Sequence, residues 1–194
     1  MSHMPKLKLG ADTLLYPMPV TLVGADVNGK PNFLTVAFCG IMNPHPPMIY
    51  AALNKAHHTN AGIRENRTFS VNTPSADMVG VTDYCGMLSG RDMDKSSLFD
   101  VFYGELGNAP MIAECPVNME CRLRQIIEFE IDDVFIGEIV QSYSDPGCLT
   151  DGLPDMKKVN PMAFSMHDNN YWRLGESVGR AWSVGKDFKK GAKR

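Results

Sequence analysis

The stretch Leu53–Asn66 reads LNKAHHTNAGIREN and sets two adjacent histidines directly before a threonine. Two chemistries fit such residues: metal ligation, or the grip of an anion at a helix start. For a metal the geometry is poor. Neighbouring side chains on a strand point to opposite faces, and on a helix they diverge by about 100°. His45 lies across a proline-rich loop, His167 is far along the chain, and neither H-E-x-x-H nor C-x-x-C occurs. No metal site is expected. The anion reading has a mechanism. A strand ending at Leu53-Asn54-Lys55 followed by a helix from Thr59 presents free N–H groups and the positive end of a dipole. Thr59 is read as the N-cap, and its hydroxyl adds a donor. Lys55 or His58 adds charge or a further N–H. Together they suit a phosphate monoester, although the same residues also make an ordinary capped helix.

Two further segments carry polar chemistry. Ser89-Gly90-Arg91-Asp92-Met93-Asp94-Lys95 mixes a flexible glycine with two cations and two carboxylates. It is either a solvated loop with weak local ion pairs or a lid whose Arg91 or Lys95 reaches an anionic ligand. Phe33–Gly40 reads as core strand, with Thr35 and the neighbouring Asn32 as polar exceptions. Apolar walls with a few placed donors are what a small-molecule site needs. Cys39 has no adjacent cation to lower its pKa and reads as a buried, inert thiol.

These residues need elements to position them. Val20–Ala25 is β-rich, Asn28-Gly29 is a hairpin signal, and Asn32–Phe38 is the return strand. Pro44-His45-Pro46-Pro47 forces an irregular link to a strand over Met48–Leu53. A short helix over Thr59–Asn66, a strand over Thr68–Asn72 and a helix over Ser75–Tyr84 follow. Arg91–Phe99 is loop and short helix. Asn118–Phe129 and Val134–Tyr143 form a long hairpin turning at Asp132-Asp133. A helical signal near Asp155 and a weak strand near Tyr171 complete the chain. Short strands joined by hairpins, with few helices, predict a mainly β fold built as a closed or nearly closed antiparallel Greek-key barrel. No G-x-G-x-x-G or G-x-x-x-x-G-K-[ST] occurs, so a dinucleotide-binding Rossmann domain is not expected.

Composition sets the outer limits. At 194 residues the chain suits one domain, here residues 5–186. Residues 1–4 read as a cloning remnant, and 187–194 as a basic, flexible tail. A net charge of −3 points to neither nucleic acid nor an anionic membrane as partner. No apolar run reaches the roughly 18 residues that span a bilayer. Five cysteines, an odd number, argue against a disulfide framework and for a reducing cytoplasm.

Five segments in order, NFLTVAFCGIMNPHPP, MIYAALNKAHHTNAGIRENRTFSVNTP, CGMLSGRDMDKSSLF, VFIGEIV and YWRLGESVGRAWSVGK, resemble the flavin reductase-like family, nearest to its flavoredoxin-type members. The resemblance spans about Leu14 to Lys186. It implies an FMN-binding split β-barrel, a homodimer, and non-covalent FMN near the subunit interface. On that resemblance Asn32, Leu34 and Thr35 face the flavin, and Phe38 packs against its ring. Asn43 lies in the following loop. Asn54 and Thr59 hold the phosphate side, Lys95 matches the lysine of an S-G-x-D-x-D-K loop, and Tyr171 is a rim contact. One departure stands out: flavoredoxin-type sequences often carry a histidine just before F-I-G-E, where this chain has Ile131-Asp132-Asp133-Val134. The implied function is FMN-dependent electron transfer with a protein redox partner. The alternatives are an NAD(P)H:flavin oxidoreductase and a non-catalytic ligand-binding barrel. FMN carries the redox chemistry, so the lack of an acid–base dyad is no objection.

Overall fold

The computed structural model describes residues 6–186 and residue 188. The residues read as a cloning remnant, and the tail beyond Lys186 apart from Phe188, lie outside that set.

The first hairpin pairs β2 (Thr21–Val27) with β3 (Lys30–Val36), following β1 (Met18–Pro19). Its turn is the expected Asn28-Gly29, with φ of 52° and 73°. That doubly left-handed geometry matches the twist of the flanking strands. Then come β4 (Cys39–Pro44), β5 (Pro47–Asn54), α1 (Thr59–Asn66), β6 (Thr68–Thr73), a 3₁₀ turn (Ala76–Met78) and α2 (Val79–Met87). A second 3₁₀ turn, Lys95–Leu98, precedes β7 (Val101–Phe102) and β8 (Met111–Ile112). The long hairpin is β9 (Val117–Glu128) and β10 (Asp132–Ser144). Its turn falls at 129–131, where the Phe129 N–H donates to the Asp132 carbonyl, not at Asp132-Asp133 as expected. Asp133 is instead a buried member of β10 whose carboxylate accepts from Arg64 at 2.8 Å. The chain closes with β11 (Leu149–Thr150), β12 (Leu153–Pro154), α3 (Met156–Val159), β13 (Met162–Ser165) and β14 (Asn170–Arg173).

Seven strands form one antiparallel sheet in the order β3-β2-β6-β9-β10-β5-β4. Its two edges, β3 and β4, are joined by Ala37 and Phe38 alone. The sheet must therefore curl until the edges meet at that corner, where the Ala52 N–H donates to the Phe38 carbonyl at 2.8 Å. That bond joins β5 to the linker; β3 and β4 form no ladder with each other, which makes this a split barrel. Alternation along β2 and β3 sorts side chains to two sides. Val23, Ala25, Leu34 and Val36 enter the barrel core with Ile63, Phe69 and Phe135. Leu22 and Phe33 turn outward to pack with Cys85, Phe99 and Ile112 under α2. A three-stranded sheet, β1-β13-β14, covers the far end of α2.

Candidate functional site

Edge strand β3 lies between α1 and α2, and a line of cavities follows it. The cavity at its start, about 260 Å³, is lined by Asn32, Leu34, residues 56–59 at the head of α1, residues 86–91 and Lys95. A shallower cavity of about 400 Å³ continues from it under the β2–β3 turn, lined by Lys30, Asn32, His58 and residues 90–95. In the other direction Gly86 and Met87 lead into a cavity of about 320 Å³ with Thr35, Ala37, Asp83 and Tyr171. Ala37 leads on to an apolar depression of about 810 Å³ around Phe38, Tyr50 and Leu14–Leu15.

At the α1 end the N-cap is His58, without a side-chain cap, and Thr59 is the first helical residue. This corrects the expected N-cap at Thr59. The Thr59 hydroxyl is buried and accepts from Asn32 Nδ2 at 2.8 Å. Because it accepts there, its own O–H is free to donate into the cavity. In the first turn of α1 the Asn60 and Ala61 N–H groups donate to the His57 and His58 carbonyls at 3.4 and 3.3 Å, which leaves the Thr59 N–H as the one without an acceptor among the described residues. Arg91 donates from one guanidinium nitrogen to the Ala56 carbonyl at 2.9 Å, which holds its remaining N–H groups above the helix start. The loop reaches so far because residue 90 is glycine: a Cβ there would stand 2.0 Å from Asn32 Oδ1. A hydroxyl, a backbone donor and a guanidinium around one cavity make a phosphate seat, so these residues fit the phosphate of a flavin mononucleotide.

The expected site residues divide by position. Asn32, Leu34, Thr59 and Lys95 meet at the α1 end. Thr35 and Tyr171 line the middle cavity, and Phe38, about two-fifths exposed, lines the apolar end. Asn43 and Asn54 are not brought into these cavities. Asn43 donates to the Pro46 carbonyl and ties the β4–β5 turn. Asn54 accepts from the Ala56 N–H and shapes the approach to α1. Lys95 differs from the expected ligand contact. Its side chain is buried, and its ammonium donates to the carbonyls of Phe33 at 3.0 Å and Cys85 at 2.6 Å, clamping β3 to α2. Thr35 likewise donates to the Thr82 carbonyl. Asp83 and Met87 were not singled out in the sequence. Asp83 meets Tyr171 across 88 residues, a distance at which spacing carries no signal. Cys39 is buried, and burial pushes its thiol up to about 12, which suits the inert reading. Among the described residues no group of three or more His, Cys, Asp or Glu side chains is placed to hold a metal.

Burial, then the Lys95 charge, lowers the His57 pKa, with Asp132 opposing; burial, then Arg91 and Lys95, lowers that of His58. The unfolded chain therefore takes up protons first as pH falls below about 6.5. Stability should rise with pH between the folded values and about 6.5, then level off. Urea melts at about pH 7 and about pH 5.5 should show an acid loss that the double variant His57→Gln/His58→Gln reduces. Equal losses in both proteins would refute this.

The fold and the cavity line define a flavin-type split barrel, and the flavin reductase like domain model matches residues 13–157. The chain belongs to the flavin reductase-like family. It is 48% identical to a flavoredoxin from Methanosarcina acetivorans, with a TM-score of 0.92 over 94% of this chain and 98% of that one. It is 40% identical to the flavoredoxin of Desulfovibrio vulgaris (Miyazaki F), with a TM-score of 0.87 over 94% and 100%. It is also 27% identical over 132 residues to the FMN reductase (NADH) RutF of Enterobacter cloacae, covering 64% of this chain and 79% of that protein.

Proposed function

We propose that this chain is an FMN-dependent oxidoreductase of flavoredoxin type that exchanges electrons with a protein redox partner. The observation that carries this reading is the cavity line along β3, which begins in a phosphate seat at α1 and ends among apolar side chains. Bound FMN supplies the electron-transfer chemistry. The chain supplies placement. The Thr59 hydroxyl, the Thr59 N–H and Arg91 hold the phosphate. Leu34 and Thr35 line the way along β3. Met87 and Phe38 provide apolar surface for the ring and keep water from it. The similarity to two flavoredoxins over nearly the whole chain favours a carrier. The relative that reduces FMN with NADH favours a second reading, an NAD(P)H:flavin oxidoreductase.

Protein purified without added cofactor should be yellow, and acid should release the flavin; colourless protein that fails to quench FMN fluorescence would end both readings. Anaerobic stopped-flow then separates them. Bleaching of the bound flavin by NADH or NADPH at about 10 s⁻¹, the scale of ordinary turnover, defeats the carrier. Reduction by a reduced ferredoxin and by neither nicotinamide defeats the reductase.

Thr59→Ala tests the seat. A hydrogen bond to a charged group contributes about 1.5–3 kcal/mol, roughly 10- to 150-fold in affinity. FMN binding should weaken by that factor and riboflavin binding hardly at all, with Thr59→Ser restoring FMN. Equal losses for both ligands would reduce Thr59 to a support for Asn32.

We further propose a homodimer, because the apolar depression beside Phe38 and the exposed Leu14 and Leu15 suit a second copy of the chain; sedimentation as a monomer would refute it. No helix among the described residues is long and apolar enough to cross a membrane. The five free cysteines support a cytoplasmic location.

A further inference from the structure

The middle cavity of the line lies between α2 and the β13–β14 hairpin. Thr35 and Ala37 line it from the β3 edge, and Met87 and Phe164 add apolar wall. One residue in its lining, Asp83, carries a formal charge. Its carboxylate accepts from the Tyr171 hydroxyl at 2.9 Å. Among the described residues no Lys, Arg or His forms an ion pair with it. A half-buried carboxylate with a neutral partner and no ion-paired cation, at a largely apolar cavity, acts on a neighbouring charge through a medium less polar than bulk water. Burial, then Asp83 itself, raises Tyr171 to about 12, so the phenol stays a donor across the neutral range.

The cavity also stands where a flavin ring must lie if the phosphate sits on α1. From Asn32, beside Thr59, to Ala37 is five residues of strand, about 17 Å. A mononucleotide lying along β3 brings its far end to Asp83.

We propose that Asp83, held in place by Tyr171, lowers the redox potential of the flavin seated in this groove. The inference rests on the FMN reading above. Two electrons from the redox partner and one proton from solvent leave net negative charge on the ring. A fixed carboxylate nearby opposes that charge, so the site binds oxidised FMN more tightly than the reduced form. Asp83 is a positioning and tuning residue; it transfers no proton in this account. The consequence suits a carrier, because a lowered potential makes the reduced protein a stronger donor.

The test is the midpoint potential of the FMN-loaded protein, measured spectroelectrochemically in wild type, Asp83→Asn and Tyr171→Phe. Asp83→Asn removes the charge and keeps an acceptor for Tyr171. Its ratio of reduced-to-oxidised dissociation constants should fall about tenfold, a rise of about 30 mV for a two-electron couple. Affinity for oxidised FMN should stay within about threefold. Tyr171→Phe keeps the charge and should stay nearer the wild-type potential. If Asp83→Asn does not fold, Asp83→Ser serves the same purpose. A folded, loaded Asp83 variant with the wild-type potential overturns the inference and leaves the FMN reading standing, as does a larger shift in Tyr171→Phe than in Asp83→Asn. Wild-type protein that binds no FMN overturns both.

Discussion

Gly62→Ala should cost about 1–3 kcal/mol of stability and remove most FMN binding, because the new methyl has nowhere to go. A Cβ at residue 62 would stand 2.1 Å from the Asp26 carbonyl oxygen and 2.9 Å from Val27 Cγ2. The first of these is backbone of β2, and no rotamer change relieves it. Helix α1 has to lift off the sheet. Overpacking of this kind costs about 1–3 kcal/mol or more, against which the better helix propensity of alanine returns at most about 1 kcal/mol. The melting temperature should fall by several degrees, since about 1 kcal/mol corresponds to roughly 2–4 °C at this size. Because α1 carries Thr59, the same displacement opens the phosphate seat. Gly80→Ala in α2 is the control: beyond its neighbours and its own helix backbone, no atom among the described residues lies within 4 Å of its Cβ position, so the same change there should be neutral or stabilising by up to about 1 kcal/mol. Similar thermal denaturation curves for the two variants would contradict the packing argument.

Lys95→Met should be at least as damaging, and to the apoprotein as much as to the loaded one. The methionine fills the space but leaves the Phe33 and Cys85 carbonyls without their shared donor. An acceptor left unsatisfied in a buried setting costs about 1–3 kcal/mol, so about 2–6 kcal/mol is expected for the pair. Binding should suffer indirectly, because the clamp fixes the distance between β3 and α2 across which Thr35 and Met87 face one another. FMN and riboflavin should therefore weaken in parallel, as measured by fluorescence titration alongside apoprotein melts. Unchanged apoprotein stability with a loss confined to FMN would instead place the ammonium on the phosphate.

These two residues also mark where sequence reading succeeds and where it stops. Local rules reached far along this chain. Asn28-Gly29 defined its hairpin because only residues tolerant of positive φ make that turn, and the bounds expected for α1 coincide with those observed. The ordered segments carried the family and the barrel. Asn32, Thr59 and Lys95, each expected to contact one cofactor, line one cavity. What the residues do there was decided in three dimensions. Thr59 was expected to cap its helix, yet its hydroxyl meets Asn32, 27 residues earlier in the chain. Lys95 was expected to reach a ligand, yet its ammonium falls between two carbonyls, where an unpaired charge would otherwise lose its solvation. Gly62 gave no signal within a helical stretch, and only the approach of β2 makes a side chain there impossible. Asp83 and Tyr171 became partners only when the C-terminal hairpin packed on α2. Turn chemistry and helix periodicity act over a few residues and are written in the sequence. Hydrogen-bond partners and close approaches depend on chain segments tens of residues apart, and only the tertiary structure sets them.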